Sequence, residues 1–280
     1  VEDRPFTAAN GWSPGNSGAG SPEGVLTLRQ ALAQSNNLVS VRVLQHTGTQ
    51  RARDWLGRFG LDMSKQPDNL TLALGTGQVT PLQMVRAYAT LANGGWSLDP
   101  VVIEKITDAQ GKTLFEAPPP PVLTDDNRAI PARNAYVMNS LLADVTQVGT
   151  AARVQSVLKR RDLYGKTGTT NDVLDAWFAG YQPGLAAVVW MGYDQPRSLG
   201  DHGSGARLAL PIWMDYMGAA LKGVPVAASP EPPPGLTRFN DDWLYAEWAQ
   251  GGAVSTIQDE AGAQYAGPPT LIDAIRELFK

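Results

Sequence analysis

Between residues 163 and 193 the hydrophobic period of the chain changes, and this change limits the possible folds more than any other feature. Upstream, apolar residues recur every third or fourth position, as on a helix. Here they fall into three short runs, at 165–170, 176–181 and 186–192. Asn171-Asp172 and Pro183-Gly184 separate the runs, and both pairs favour turns. Three strands joined by turns this short predict an antiparallel meander.

Helical patterns lie on both sides of the meander. Thr27 is placed to cap a short helix through Leu28, Leu32 and Ala33, which stops near Ser35-Asn36-Asn37. A second pattern runs from Leu38 to about His46 and ends at Gly48. A third starts at Thr49, buries Ala52, Trp55, Leu56 and Phe59, and stops at Gly60. Thr80-Pro81 is a helix start, because Thr80 supplies a capping oxygen and Pro81 fits a position that needs no N–H. Leu82, Val85, Tyr88 or Ala89, and Leu91 or Ala92 follow at helical spacing, and Asn93-Gly94-Gly95 ends the pattern.

Runs at 101–107 and 112–115, joined by Asp108-Ala109-Gln110-Gly111, predict a β-hairpin. The proline run at 118–121 then forces extended chain. A helix follows Pro131 with Tyr136, Met138, Leu141, Leu142 and Val145 on its apolar side. Pro211 opens another, with Trp213, Tyr216, Met217 and Leu221. Residues 1–24 read as irregular, 223–235 as a Pro-rich linker and 236–280 as a small C-terminal appendage. Helices followed by an antiparallel sheet and one more helix predict an α+β fold, with residues 1–222 as the main domain.

Composition excludes several classes of function. The net charge is −4, and Lys159-Arg160-Arg161 is the only basic cluster, so nucleic acid is not an expected partner. Without cysteine there is no thiol nucleophile, disulfide framework or thiolate zinc site. His46 and His202 are the only histidines and form no HExxH pattern, so neither a metal nor a cofactor is expected. No apolar run approaches the ~20 residues of a membrane span. The first residues, Val1-Glu2-Asp3-Arg4, do not look like a signal peptide, and the chain reads as a processed or cut product.

Two short motifs carry chemistry. Lys166-Thr167-Gly168-Thr169-Thr170 opens the meander. On a strand, Lys166 offers a cation to a carboxylate, and Thr167 and Thr169 place two hydroxyls on one face. Gly168 removes a side chain where a ligand or another backbone comes close. The plainer reading is an edge strand with two solvated threonines. Ser35-Asn36-Asn37 sits at a helix break, where Ser and Asn commonly serve as caps. The alternative is a hydroxyl and a carboxamide pointing into a cleft.

Together, and in this order, the two motifs resemble the S-x-N and K-T-G motifs of penicillin-binding proteins and class A β-lactamases. The likeness continues through Thr27-Leu28-Arg29-Gln30-Ala31-Leu32 and Val79-Thr80-Pro81-Leu82-Gln83-Met84. It resumes at 165–171, Asp175-Ala176-Trp177-Phe178-Ala179-Gly180-Tyr181, Val189-Trp190-Met191-Gly192 and Ala209-Leu210-Pro211-Ile212-Trp213. It covers about residues 5–222, and the chain is most similar to the class A penicillin-binding proteins.

The resemblance implies a penicillin-binding, β-lactamase-like transpeptidase fold whose N-terminal part lies outside this chain. It implies a DD-transpeptidase that crosslinks peptidoglycan stem peptides ending in D-Ala-D-Ala and is acylated by β-lactam antibiotics. It places the protein at the periplasmic face of the bacterial inner membrane, with a glycosyltransferase domain and an anchor upstream. Ser35 would relay a proton to the leaving amine, Asn37 would hold the substrate amide, and Lys166 would sustain a positive field around Ser35. The Thr167 and Thr169 hydroxyls would bind the terminal carboxylate beside Gly168, and the Thr169 N–H would serve as one oxyanion donor.

The nucleophilic serine of the family's S-x-x-K motif should precede S-x-N. The only such string, Ser156-Val157-Leu158-Lys159, follows it and reads as a chance match. The nucleophile is therefore expected in an upstream portion of the same protein, which becomes a partner of this chain, and the fragment alone is expected to be inactive. The last strand of the meander is expected to keep an unpaired edge. Two alternatives stay open: a carboxypeptidase or β-lactamase-like hydrolase of the same fold, and a non-catalytic module that recognises penicillin.

Overall fold

The computed structural model describes residues 1–16, 24–201, 203–249 and Ile257. Two-residue strands β1 (Glu2–Asp3) and β2 (Gly24–Val25) pair antiparallel. Helices α1 (Leu28–Gln34), α2 (Asn37–Thr47) and α3 (Thr49–Arg58) follow, then α4 (Pro81–Ala92). The hairpin β3 (Lys105–Thr107) and β4 (Thr113–Glu116) precedes α5 (Ala132–Gln147) and α6 (Arg153–Leu158). Strands β5 (Tyr164–Thr169), β6 (Ala176–Gln182) and β7 (Leu185–Met191) come next. Helix α7 (Ala209–Ala220) and the hairpin β8 (Leu236–Phe239) and β9 (Asp242–Tyr245) close the described chain.

Local chemistry explains the helix starts. Thr27 accepts the Gln30 N–H while the Gln30 side chain takes the Thr27 N–H, and Thr80 and Gln83 repeat the arrangement. Each capping box satisfies two otherwise orphaned donors. Pro81 occupies the first turn as expected.

The meander forms a three-stranded antiparallel sheet in the order β5-β6-β7. Among the described residues no strand lies beside the outer edge of β7, nor beside that of β5. Alternation along β6 divides the sheet into two faces. Phe178 and Gly180 meet α7, where Trp213 lies 4.8 Å from the Phe178 ring centroid and donates its indole N–H to Ala187 O at 3.0 Å. Gly180 makes room for it, since a Cβ there would stand 2.8 Å from the Trp213 ring. On the other face Tyr181 stacks on Tyr164, meets the edge of Tyr88 from α4 and donates to Asn139 of α5. Burial pushes the Tyr88 pKa up to about 12, so this phenol stays neutral. Phe178, Tyr181 and Trp213 are fully buried and anchor the core.

Several expectations need correction. Helix α7 begins at Ala209, two residues before Pro211. Proline there still lies in the first turn, where an N–H has no intrahelical acceptor. No residue of α3 is buried, and Ala52, Trp55, Leu56 and Phe59 are only half-buried because the helix lies at the margin. Met138 and Tyr216 are exposed. Strand β3 starts at Lys105, since Val101–Ile103 have no partner strand and Val102 is 84% exposed. Helix α6, the β1–β2 pair and the β8–β9 hairpin were not foreseen. His202 and, apart from Ile257, the chain after Ala249 lie outside the described residues.

The β8–β9 hairpin docks on α5 and α1. Trp243 meets the Tyr136 ring edge-on at 5.2 Å, Tyr245 donates to Asn134, and Arg133 pairs with Glu247 at 2.8 Å. Arg29 of α1 joins Asp242 at 2.6 Å, Asp144 at 3.3 Å and the Ser140 carbonyl at 2.8 Å.

Candidate active site

Helix α1 stops in a tight reversal. The Ser35 N–H donates to Leu32 O at 3.1 Å and the Asn36 N–H to Ala31 O at 2.8 Å. Ser35 itself takes φ 57° and ψ 46°, a left-handed backbone that costs a non-glycine residue on the order of 1 kcal/mol or more. Asn36 then caps α2, accepting the Val39 N–H at 2.9 Å. The three residues therefore divide their work: Asn36 caps the next helix, and the turn leaves the Ser35 hydroxyl free to face β5.

There it meets Lys166, 131 positions away in sequence, whose ammonium donates to Ser35 Oγ at 2.7 Å. A second ammonium proton goes to Thr167 O at 3.0 Å. Burial lowers the lysine pKa from 10.5 to about 8, so it is still a cation at neutral pH. Among the described residues no carboxylate lies within ion-pair distance of it. A shielded cation without a counter-ion attracts an anionic ligand.

Thr167 and Thr169 share the opposite side of β5, as strand alternation requires. The Thr167 hydroxyl lies 3.0 Å from the Thr150 hydroxyl, and Thr169 Oγ1 accepts the Gly205 N–H at 3.0 Å. A Cβ on Gly168 would stand 3.2 Å from Trp177 Cβ, and the tighter approach in this region is that of Gly205. A Cβ on Gly205 would stand 2.4 Å from Gly168 O and 2.3 Å from Trp177 O. The Asn37 side chain donates to Gly15 O at 2.8 Å, and its N–H goes to Asn16 Oδ1 at 2.9 Å. The structure thus joins Ser35 to Lys166 and occupies the Asn37 carboxamide with the N-terminal segment.

Ser156 donates to Arg153 O within α6, and Lys159 caps that helix from a left-handed backbone. Thr150 and Gly205 were missed by sequence reasoning. Each acts across 17 and 36 positions respectively, and neither carries a local signal beyond a neighbouring glycine.

Residues 4–211 match the penicillin binding protein transpeptidase domain. The chain is 43% identical over 236 residues to penicillin-binding protein 1A of Neisseria lactamica, covering 84% of this chain and 29% of that protein. It therefore spans less than a third of the length of that relative. The crystal structure of penicillin-binding protein 1A from Haemophilus influenzae is similar with a TM-score of 0.79 and 32% identity, over 85% of this chain and 41% of that one. The PonA1 protein from Mycobacterium tuberculosis in complex with penicillin V is similar with a TM-score of 0.70 and 27% identity, over 83% and 66% of the two chains.

Proposed function

This chain belongs to the penicillin-binding protein transpeptidase family, and from that premise we propose that it is part of a peptidoglycan DD-transpeptidase working by serine acyl transfer. The observation that carries the reading is the 2.7 Å contact between Lys166 and Ser35. The ammonium donates to Ser35 Oγ, so the serine's own proton is free to go to another acceptor.

In this reading the attacking serine comes from the upstream portion of the same protein. Its hydroxyl gives up its proton and its oxygen bonds to the penultimate D-Ala carbonyl carbon. The C–N bond to the terminal D-Ala breaks, and Ser35 relays a proton to the leaving nitrogen, giving up its own and being refilled by the one the attacking serine released. An amine of a second stem peptide then takes the acyl group. A β-lactam follows the first half of this course, its ring C–N bond breaking in place of the peptide bond. The Thr167 and Thr169 hydroxyls hold the substrate's terminal carboxylate, and Lys166 supplies the field that draws it in. The Thr169 N–H donates to the developing oxyanion. Asn37 holds the substrate amide after giving up its bond to the Gly15 carbonyl. The reaction takes place at the periplasmic face of the inner membrane.

The test uses the full-length protein, because the nucleophile is assigned to sequence outside this chain. Thr167→Val removes one hydroxyl aimed at a carboxylate, a contact worth ~1.5–3 kcal/mol. The second-order rate of acylation by a fluorescent penicillin should fall roughly ten- to a hundredfold. A folded variant acylated at the wild-type rate would count against the assignment.

A further inference from the structure

The connection between α5 and α6 reaches both halves of the candidate site. Helix α5 ends at Gln147, and the N–H groups of Val148 and Gly149 turn back to Asp144 O at 2.9 and 2.8 Å. This brings Gly149 hard against α1, where a Cβ would stand 2.3 Å from Ala33 O. Thr150 then donates its N–H to the same Ala33 carbonyl at 3.0 Å. Its backbone is thereby fixed to the last turn of α1, two residues before Ser35. Its hydroxyl turns the other way and lies 3.0 Å from Thr167 Oγ1. One residue ties the helix that ends in Ser35 to the strand that carries Lys166.

A hydroxyl has one proton and two acceptor sites. Within the Thr150–Thr167 pair one oxygen must donate and the other accept. If Thr167 gives its proton to a substrate carboxylate, it can keep the Thr150 contact only by accepting from it. Thr150 in turn is held by its backbone bond to α1, so its side chain stands beside Thr167 and can donate to it while Thr167 donates to the substrate. Resting on the transpeptidase reading above, we propose that Thr150 is a positioning residue that turns the Thr167 hydroxyl toward the substrate carboxylate. It touches no reacting atom and acts through Thr167.

The experiment compares acylation of the full-length protein by a fluorescent penicillin across Thr150→Val, Thr150→Ser, Thr167→Val and the Thr150→Val/Thr167→Val pair. Valine keeps the shape of threonine and loses the hydroxyl. Thr150→Val is expected to slow acylation roughly three- to tenfold, and Thr150→Ser to stay within about twofold of wild type. In the Thr167→Val background, Thr150→Val is expected to add nothing, because its route of action is already gone. A merely structural role would persist in that background. Should the valine variant fail to fold by circular dichroism, Thr150→Ala read against Thr150→Ser decides the same point. The proposal is overturned by a Thr150→Val rate equal to wild type, or by a double variant slower than Thr167→Val by the full Thr150→Val factor. A slow Thr167→Val beside a normal Thr150→Val defeats this proposal alone. A Thr167→Val at wild-type rate defeats the transpeptidase reading and takes this proposal with it.

Discussion

The β3–β4 hairpin and the β5-β6-β7 sheet arise from the same kind of local instruction, short strand-forming runs broken by turns. Their fates differ. Every residue of β3 and β4 is exposed, whereas six of the seven residues of β6 are buried. The hairpin has one cross-strand ion pair, Lys105 with Glu116 at 3.4 Å, between side chains 49% and 63% exposed, and such pairs contribute little. The sheet has α7 on one face and α4 and α5 on the other, all distant in sequence from at least one strand they cover. Alternation makes a strand; helices delivered from elsewhere make it a core. The candidate site lies on the covered sheet, where its groups are held from both sides.

Four substitutions or titrations can sharpen or break that contrast. Trp213→Ala removes the buried ring between α7 and β6, and the expected loss is about 3–5 kcal/mol by denaturant unfolding. Gly205→Ala is next, at about 1–3 kcal/mol, because its new Cβ would meet two backbone carbonyls that cannot swing aside. A cost near zero would mean that the 205 loop does not press on β5.

The third concerns the buried cation. The unfolded chain holds the Lys166 proton up to about pH 10.5, and the folded chain releases it near 8. Between those values the unfolded state binds more protons, so this group's contribution to stability rises with pH. Below the folded value, burial of the cation costs stability. The stability gap between wild type and Lys166→Met should therefore shift as the pH passes from 8 to 10.5, in favour of wild type. A flat gap would show that the ammonium is better solvated than its position implies. Last, Phe115→Ala on the open hairpin should change stability by less than about 1 kcal/mol, since the side chain is exposed and its cross-strand partner is Ile106. A loss as large as that at Trp213 would reveal that the hairpin is covered.

Features written in adjacent residues were the most legible. The Thr27 and Thr80 caps and the order of the three strands could be read directly, because a cap needs only one residue and its third neighbour. The ends of those three strands came within one residue, whereas β3 starts four residues later than expected. The contact of Ser35 with Lys166 was legible only through the ordered motif pair, since no local rule joins positions so far apart. Thr150 and Gly205 left no trace in the sequence, because their partners are carbonyls and hydroxyls brought close by packing. Trp55 and Leu56 misled for the complementary reason. Helical spacing identifies the face a helix would bury, and it does not say whether a neighbour arrives to cover it.

Arg29 joins regions that look separable in sequence. Its guanidinium reaches Asp144 in the middle of the domain and Asp242 beyond the proline-rich stretch, while its own helix ends six residues later at Ser35. A protease nick between 223 and 235 that let the hairpin drift away would strip Arg29 of one carboxylate. The disturbance would then travel along barely two turns of helix to the hydroxyl facing Lys166. The shortest stretch of polypeptide that keeps this geometry taut thus runs past the proline-rich stretch to Asp242, and peptide trimmed at 222 would behave like a drumhead with one peg drawn.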